Sequence, residues 1–346
     1  LLTMMILSFT FAEDLIIDGE TVYLAGDQYF DNVIIVNSGV LALVEFGGSN
    51  QIQGTLQLFC DSLYMDASSS INGTGAGGAF GQGMGVLGGA GSGDGLYSGG
   101  GGGSHAGIGG MGGGDIPGNG GTTYGTNNTL NRGSRGGYGY SAPTDSPGNG
   151  GGAIQISART ALVDGTITSN GANASYYNDG GSGGGSGGTI ILDIINLELS
   201  GSLSASGGNG SSAPNASYVS IGSGGGGGGG RINIRSEAFI DTNQCAVSGG
   251  SGGDCGNGYP GLNGTAGKIQ YLKTWLTSES HMDQEIWYVN PNPTIGMEAD
   301  GDIYGYFYLL DQNPEGIADQ TSNFTSQNVL QLDSLSDGIW FFHAVP

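Results

Sequence analysis

The sequence predicts an all-β chain: a parallel β-helix (β-solenoid) with glycine-rich loops, followed by a small β-sandwich. Three observations predict it. A strand-opening phrase returns at a nearly constant period, glycine runs separate its copies, and the composition changes near Tyr271. The phrase reads Gly152-Ala153-Ile154-Gln155-Ile156, Gly188-Thr189-Ile190-Ile191-Leu192, Gly230-Arg231-Ile232-Asn233-Ile234 and Gly267-Lys268-Ile269-Gln270-Tyr271. Its starts lie 36, 42 and 37 residues apart. That period belongs to stacked repeats, in which one unit cannot bury its apolar face alone.

The first twelve residues are apolar and end Thr10-Phe11-Ala12 before Glu13-Asp14. Small residues at these positions fit the end of a secretory signal peptide. From Leu15 to Gly54, short β-branched runs such as Asn32-Val33-Ile34-Ile35-Val36 alternate with turn residues. The repeat proper then follows. Ile154/Ile156 lead to Ala161-Leu162-Val163, Gly165-Thr166-Ile167-Thr168 and Asn170-Gly171, and the next two copies follow the same course. An earlier copy starts at Gly54-Thr55-Leu56-Gln57-Leu58. Each copy reads as three short strands and a glycine loop, one coil of a parallel β-helix. Between the copies at Gly54 and Gly152 the loop swells into an insertion, residues 73–151. No sustained 3.6-residue apolar period is present, so almost no helix is expected.

Glycine supplies 76 of 346 residues without a Gly-X-Y period, which excludes collagen. The loops are expected either to lie side by side as polyproline-II-like strands or to form a floppy fringe. From Trp275 glycine falls and aromatics rise, as in Tyr304-Gly305-Tyr306-Phe307-Tyr308 and Trp340-Phe341-Phe342-His343. The organisation read from the sequence is therefore an apolar segment 1–12 (signal peptide or donor strand), a glycine-rich β-helix 13–272 and a sandwich 273–346.

Acids outnumber bases 30 to 7, for a net charge of −23. Seven cations cannot track a phosphate backbone, so nucleic acid is excluded as a partner, and anionic membrane surfaces with it. No stretch is long and apolar enough to span a membrane. Asn-x-Ser/Thr occurs at Asn72, Asn127, Asn173, Asn209, Asn215, Asn263 and Asn323, in keeping with export and with glycosylation of loop edges. Of three cysteines, Cys245 and Cys255 are close enough in sequence to form a disulfide, which leaves Cys60 over. Three cysteines without Cys-x-x-Cys make no zinc site.

The repeat region, Leu15 to Leu272, resembles the glycine-rich right-handed parallel β-helices of secreted and cell-surface microbial proteins. The tail phrases Ser280-His281-Met282-Asp283-Gln284, Gly305-Tyr306-Phe307-Tyr308-Leu309-Leu310-Asp311 and Leu335-Ser336-Asp337-Gly338-Ile339-Trp340-Phe341-Phe342-His343 are similar to an immunoglobulin/fibronectin-III-like module. In that family the last phrase runs on into a final strand, whereas here the chain stops at Ala344-Val345-Pro346. The resemblance thus implies an open strand edge. The segment Thr3–Phe11, if retained, could fill that edge on another copy, giving a head-to-tail filament.

Enzymes on parallel β-helices gather carboxylates with Arg or Lys on one strand face. The candidates here are Asp164, Asp193, Glu198, Glu237 and Asp241 with Arg159, Arg231 and Arg235, but they do not recur at one point of the repeat. Ser104-His105 lies in a glycine run with no acid to orient the imidazole. His281 and His343 belong to the strand pattern. Asp300-Gly301-Asp302 lacks a calcium-loop continuation. The sequence therefore assigns no catalytic, metal or cofactor residue. It points to a secreted structural or cell-surface glycoprotein whose partners are its own copies or extracellular glycans. A polysaccharide lyase or hydrolase is the alternative.

Overall fold

Isoleucine, leucine and valine recur on alternate residues of each repeat, so every strand offers one apolar face that only the next repeat can cover. In the computed structural model this stacking produces two parallel sheets. The structure describes residues 13–47, 50, 52–77, 97–139, 146–175, 180–213, 221–236, 240–256, 258–272, 274–277, 292–299, 304–313, 318, 322–336 and 340–345. The strands are β1 (Leu15–Asp18), β2 (Thr21–Leu24), β3 (Gly26–Val36), β4 (Val40–Leu43), β5 (Thr55–Met65), β6 (Ser70–Asn72), β7 (Ala153–Val163), β8 (Thr166–Thr168), β9 (Thr189–Leu199), β10 (Ser202–Ser204), β11 (Arg231–Arg235), β12 (Cys245–Ala246) and β13 (Lys268–Leu272). Then follow β14 (Thr274–Thr277), β15 (Thr294–Ala299), β16 (Tyr306–Asp311), β17 (Asn323–Thr325), β18 (Val329–Gln331) and β19 (Phe341–Val345). Among the described residues the only helical element is one 3-10 turn, Thr242–Gln244.

The odd-numbered strands β1 to β13 form a seven-stranded sheet and the even-numbered β2 to β12 a six-stranded one. The chain alternates between them, repeat after repeat. Leu56, Ile154 and Ile190 fall in one register, as do Leu58, Ile156 and Leu192. On the short strands Leu41, Ile71, Ile167 and Leu203 form a third column. All of these side chains are fully buried.

The repeat differs from the expected three strands in one respect. In the copies at Gly54, Gly152 and Gly188 the first two predicted strands are halves of a single 11-residue strand. The pairing lapses at one point in it, Asp31/Asp61, Asp61/Arg159 and Arg159/Ile195. The buried positions change parity there, from Leu56 and Leu58 to Leu63 and Met65. One residue out of phase turns the strand's inward face, so the corner sits at the same place in each full repeat.

The glycine stretches among the described residues are ordered. The N–H groups of Gly222, Gly225 and Gly228 donate to the carbonyls of Tyr97, Gly100 and Gly103 at 2.8, 2.9 and 2.8 Å. Those of Ser223, Gly226 and Gly229 donate to Tyr259, Leu262 and Thr265 at 3.1, 2.9 and 2.9 Å. Those of Gly224, Gly227 and Gly230 donate to Ser211, Gly208 and Ala205 at 3.0, 2.9 and 2.7 Å. One strand thus serves three neighbours in strict rotation. That three-residue period is the polyproline-II helix, which has no internal hydrogen bonds and must satisfy its backbone laterally. The insertion supplies further strands: Gly100 and Gly103 donate to Gly181 and Gly184, both at 2.9 Å. Glycine is required by proximity. A Cβ on Gly225 would lie 2.0 Å from the Gly110 carbonyl oxygen.

The chain divides into two compact units. The second comprises residues 271–346 together with 235–239. It contains two three-stranded antiparallel sheets, β14-β15-β18 and β17-β16-β19. The buried Tyr306 on β16 donates its hydroxyl to the Met297 carbonyl on β15 at 3.2 Å.

Ile156→Ala should lower stability by about 2–5 kcal/mol through the cavity it leaves. Gly225→Ala should cost at least the ~1–3 kcal/mol of an over-packed core, because rigid backbone stands where the methyl would go. The exposed Ser248→Ala should be nearly neutral. Chemical denaturation of the three variants checks the ranking, and an unperturbed Gly225→Ala protein would contradict the lattice.

Candidate functional site

The end of the insertion returns across the outer face of the seven-stranded sheet and buries residues that a bare sheet would expose. Ile232 and Ile234 point inward, so Arg231 and Asn233 point outward, yet both are buried. Arg231 Nη2 donates to the Gly125 carbonyl at 3.0 Å, and Asn233 Nδ2 to that of Asn127 at 2.9 Å. Thr189 Oγ1 donates to the Asn131 carbonyl at 2.7 Å. Three strand side chains therefore clamp one crossing segment. Arg132 anchors it from the other side. Its Nη1 donates to the Gln53 carbonyl at 2.6 Å, and its guanidinium carbon lies 3.8 Å from the Phe46 ring centroid.

Tyr124, Ser134 and His105 complete the cluster. The Tyr124 hydroxyl donates to the Arg132 carbonyl at 2.5 Å and accepts from Ser134 Oγ at 3.1 Å. The His105 ring centroid lies 4.9 Å from that of Tyr124. His105 Nδ1 lies 3.0 Å from the Gly187 carbonyl, so Nδ1 carries the proton and Nε2 is left a bare acceptor. Burial, and then the charge of Arg231, push His105 down to about 3. Burial pushes the Tyr124 hydroxyl up to about 12. Burial also lowers Arg231, whose Nε and Nη1 meet no hydrogen-bond partner among the described residues.

This cluster was not legible as such. Seven cations in a chain of 346 residues are too few to track nucleic acid, and the same scarcity makes each buried one notable. The signal lay in Arg231 and Asn233 at outward strand positions, and in Arg132 within an almost uncharged insertion.

The other candidates are dispersed. Ser104 Oγ donates to the Gly121 carbonyl at 2.6 Å and accepts from Gly109 N–H at 2.7 Å, so it faces backbone and not His105. Asp193 accepts from Gln155 Nε2 at 3.0 Å, and Glu198 lies exposed beyond the corner of the same strand. Asp241 caps the 3-10 turn, and Asp164 follows β7 at a repeat corner. Arg159 pairs with Asp61 at an exposed position, where such a pair contributes little. Arg235 is half-buried at the end of β11. His343 Nε2 lies 3.1 Å from the Asn313 carbonyl. Glu237, His281, Asn215 and Asp300-Gly301-Asp302 lie outside the described residues, as do residues 1–12. No group of three or more metal-ligating side chains converges among the described residues.

The expected Cys245–Cys255 disulfide is corrected: all three thiols are free. Residues 246–254 run straight beside 205–213, with Ala205, Gly207, Gly210 and Ala213 donating to Ala246, Ser248, Ser251 and Asp254. An extended path of that length separates the two cysteines by roughly 30 Å, at ~3.1 Å per residue. A disulfide needs Cα atoms within about 7 Å. Cys255 Sγ instead donates to the Ile221 carbonyl at 2.9 Å. Burial, and then Asp61, push the Cys60 thiol up to about 12, so it is no nucleophile at neutral pH.

The surfaces are more regular than the interior chemistry. Tyr29 and Phe59 stack across adjacent strands, with centroids 4.9 Å apart and planes 11° apart. One face of each ring is spent on the other, and Tyr29 remains exposed. Ile108 and Met111 stand exposed beside Leu262 on neighbouring strands, joined by Leu262 N–H to the Met111 carbonyl at 2.8 Å. Of the sequon asparagines, Asn72, Asn173, Asn209, Asn263 and Asn323 are exposed and Asn127 is half-buried. Among the described residues no helix is long and apolar enough to cross a membrane. Comparison with known proteins finds no matching family model, no similar curated protein and no similar solved structure.

The neutral buried His105 has a consequence for pH dependence. Unfolded, it takes a proton near its ordinary value of 6.5, whereas folded it does so only near 3. Between these values the unfolded state binds more protons, so stability is full above about 6.5 and falls as pH drops toward 3. His105→Gln should flatten this part of the melting-temperature profile. Asp66, held down to about 2 chiefly by the Ser69 hydroxyl and the Asn37 N–H, adds its own loss only below its ordinary 3.8. A wild-type profile flat from pH 6.5 to 4 would contradict the buried neutral imidazole.

Proposed function

We propose that the chain is a secreted structural or cell-surface glycoprotein that acts through its surfaces and its assembly, not through turnover. In this reading residues 13–272 form a parallel β-helix, thickened by the glycine strands into a rigid rod. Residues 273–346 form an immunoglobulin/fibronectin-III-like sandwich. One observation carries the proposal. Among the described residues, the side chains of the buried polar cluster are committed to holding backbone: Ser104, His105, Tyr124, Arg132 and Arg231 all engage main-chain carbonyls. Glycoside cleavage needs two carboxyl groups on either side of one bond. Asp193 and Glu198 instead lie on opposite sides of a strand corner.

Assembly is supported by two features. The exposed apolar residues Ile108, Met111 and Leu262 occupy neighbouring strands of a strongly acidic chain, a setting in which an apolar patch marks contact. Strand β19 lies at the edge of its sheet, paired on one side by β16. Such an edge accepts a strand from another chain, and Thr3–Phe11 of a second copy is a suitable donor. A contact of that kind is head to tail and propagates into a filament.

Electron microscopy of the native secreted material should show rods or filaments that disperse when residues 1–12 are deleted. Filaments whose subunits begin at Glu13 would exclude the donor-strand mode. Incubation with a panel of neutral and acidic polysaccharides should release no new chain ends. Sustained cleavage abolished by Asp193→Asn or Glu198→Gln would replace this proposal with the carbohydrate-active enzyme.

A further inference from the structure

Three of the sequon asparagines make the same hydrogen bond. Asn173 Oδ1 accepts the N–H of Asn209 at 2.7 Å, and Asn209 Oδ1 accepts that of Ser251 at 2.9 Å. Asn263 Oδ1 accepts that of Gly252 at 2.9 Å. The strands of Asn173 and Asn209 adjoin, and the strand of Asn263 adjoins the next one, 246–254, which lies between it and the strand of Asn209. Ala174 N–H donates to the Asn209 carbonyl, Gly210 N–H to that of Ser251, and Gly264 N–H to that of Gly250. All three asparagines are exposed. Each uses its carbonyl oxygen to hold a neighbouring strand in register, the following one for Asn173 and Asn209 and the preceding one for Asn263, which fixes the side-chain amide.

The atom that accepts an N-linked sugar is Nδ2, not Oδ1. In the transfer, Nδ2 attacks the anomeric carbon of a lipid-linked oligosaccharyl pyrophosphate. The C1–N bond forms, the C1–O bond to pyrophosphate breaks, Nδ2 loses one proton, and the lipid pyrophosphate leaves. The product keeps Oδ1 as an acceptor. A glycan at these sites is therefore compatible with every hydrogen bond that the asparagine makes in the lattice. Asn170 makes the same contact, accepting from Ser206 N–H at 2.7 Å, but Ala172 stands where the sequon needs Ser or Thr.

We propose that Asn173, Asn209 and Asn263 carry N-linked glycans in one rank across a layer of four consecutive glycine strands, the third of which, 246–254, carries no sequon, giving the chain a single sugar-coated flank. This rests on the reading of the chain as a secreted glycoprotein. The lattice sets the spacing of the sugars, because strands locked in register cannot slide.

The full chain, secreted from a glycosylating host, is digested and each sequon peptide is scored by mass spectrometry. Release by a peptide amidase in isotopically labelled water marks every occupied site as labelled Asp. The expected result is majority occupancy at Asn173, Asn209 and Asn263. Glycans confined to Asn72, Asn127 or Asn323 would overturn the rank and leave the glycoprotein reading standing. A chain without any glycan would overturn both. Ser175→Ala removes the Asn173 sequon without touching its Oδ1, and should delete one glycan with no change in melting temperature. Amidase release should likewise leave melting unchanged, since the Asp product retains Oδ1. A collapse on release would show that the sugars, and not Oδ1, hold these strands.

Discussion

The structure depends on how closely glycine strands can approach. A polyproline-II strand turns its N–H by a third of a circle per residue, so three neighbours must stand close enough to accept. At the interior positions a side chain would occupy the place of a neighbouring peptide group, as the Gly225 and Gly110 contact makes plain. The energetics do not favour such a layer by itself. Ordering a residue costs about 1–2 kcal/mol of backbone entropy, and more for glycine. A typical hydrogen bond returns a net ~0.5–1.5 kcal/mol. With almost no apolar area buried in the glycine strands, the balance is near zero or unfavourable. The columns of Ile, Leu and Val in the two sheets supply the surplus. They also fix the register in which each glycine stretch leaves β6, β8 or β10 and returns to the next long strand.

The polar cluster follows from the same arrangement. The insertion cannot bring a hydrophobic face to the stack, because 34 of its 79 residues are glycine. It is held instead by side chains: Arg231, Asn233 and Thr189 reach from the strands to its carbonyls, Tyr124 bonds to a carbonyl within it, and Arg132 reaches out of it to the Gln53 carbonyl. Burying a guanidinium among carbonyls is expensive, and the neutral state of His105 registers that cost nearby. A second cation beside Arg231 could not be accommodated. The imidazole serves as a flat donor to Gly187 and a surface for Tyr124.

Much of this fold was legible because inward residues obey a simple rule. Ile154, Ile190 and Ile232 occupy one point of the repeat, and their register follows from period alone. The joining of two short strands into one was hidden, since Phe59-Cys60-Asp61-Ser62 looks like a turn and only the change of parity marks it as a corner. Ordered glycine could not be told from disordered glycine by composition, because the distinction lies in whether the carbonyls of other strands stand at the three-residue spacing. The cysteines misled for a related reason. Nine residues of glycine-rich sequence suggest a small loop, and here they form a straight strand.

A lattice of this kind constrains where function can be written. On an inner strand every residue faces another strand, so substitution is closed. On an outer strand one residue in three faces solvent, at a rise of about 9 Å. In this chain those positions hold Asn170 and Asn173 on one strand, Ser206, Asn209 and Ser212 on the next, and Ser248, Ser251 and Asp254 on the third. They join one another sideways: Ser206 Oγ lies 3.2 Å from Ser248 Oγ, and Ser212 Oγ accepts Asp254 N–H at 3.1 Å. Each side chain therefore has two duties, to link its neighbour strand and to present whatever the surface is to offer. Asparagine and serine are small enough to reach one strand over and keep a polar atom for solvent. An apolar replacement gives up one solvated side-chain link, a small loss at an exposed position. The monotony of this flank is thus a consequence of the backbone beneath it, and any partner must recognise a repeating pattern of small polar groups or what is attached to them.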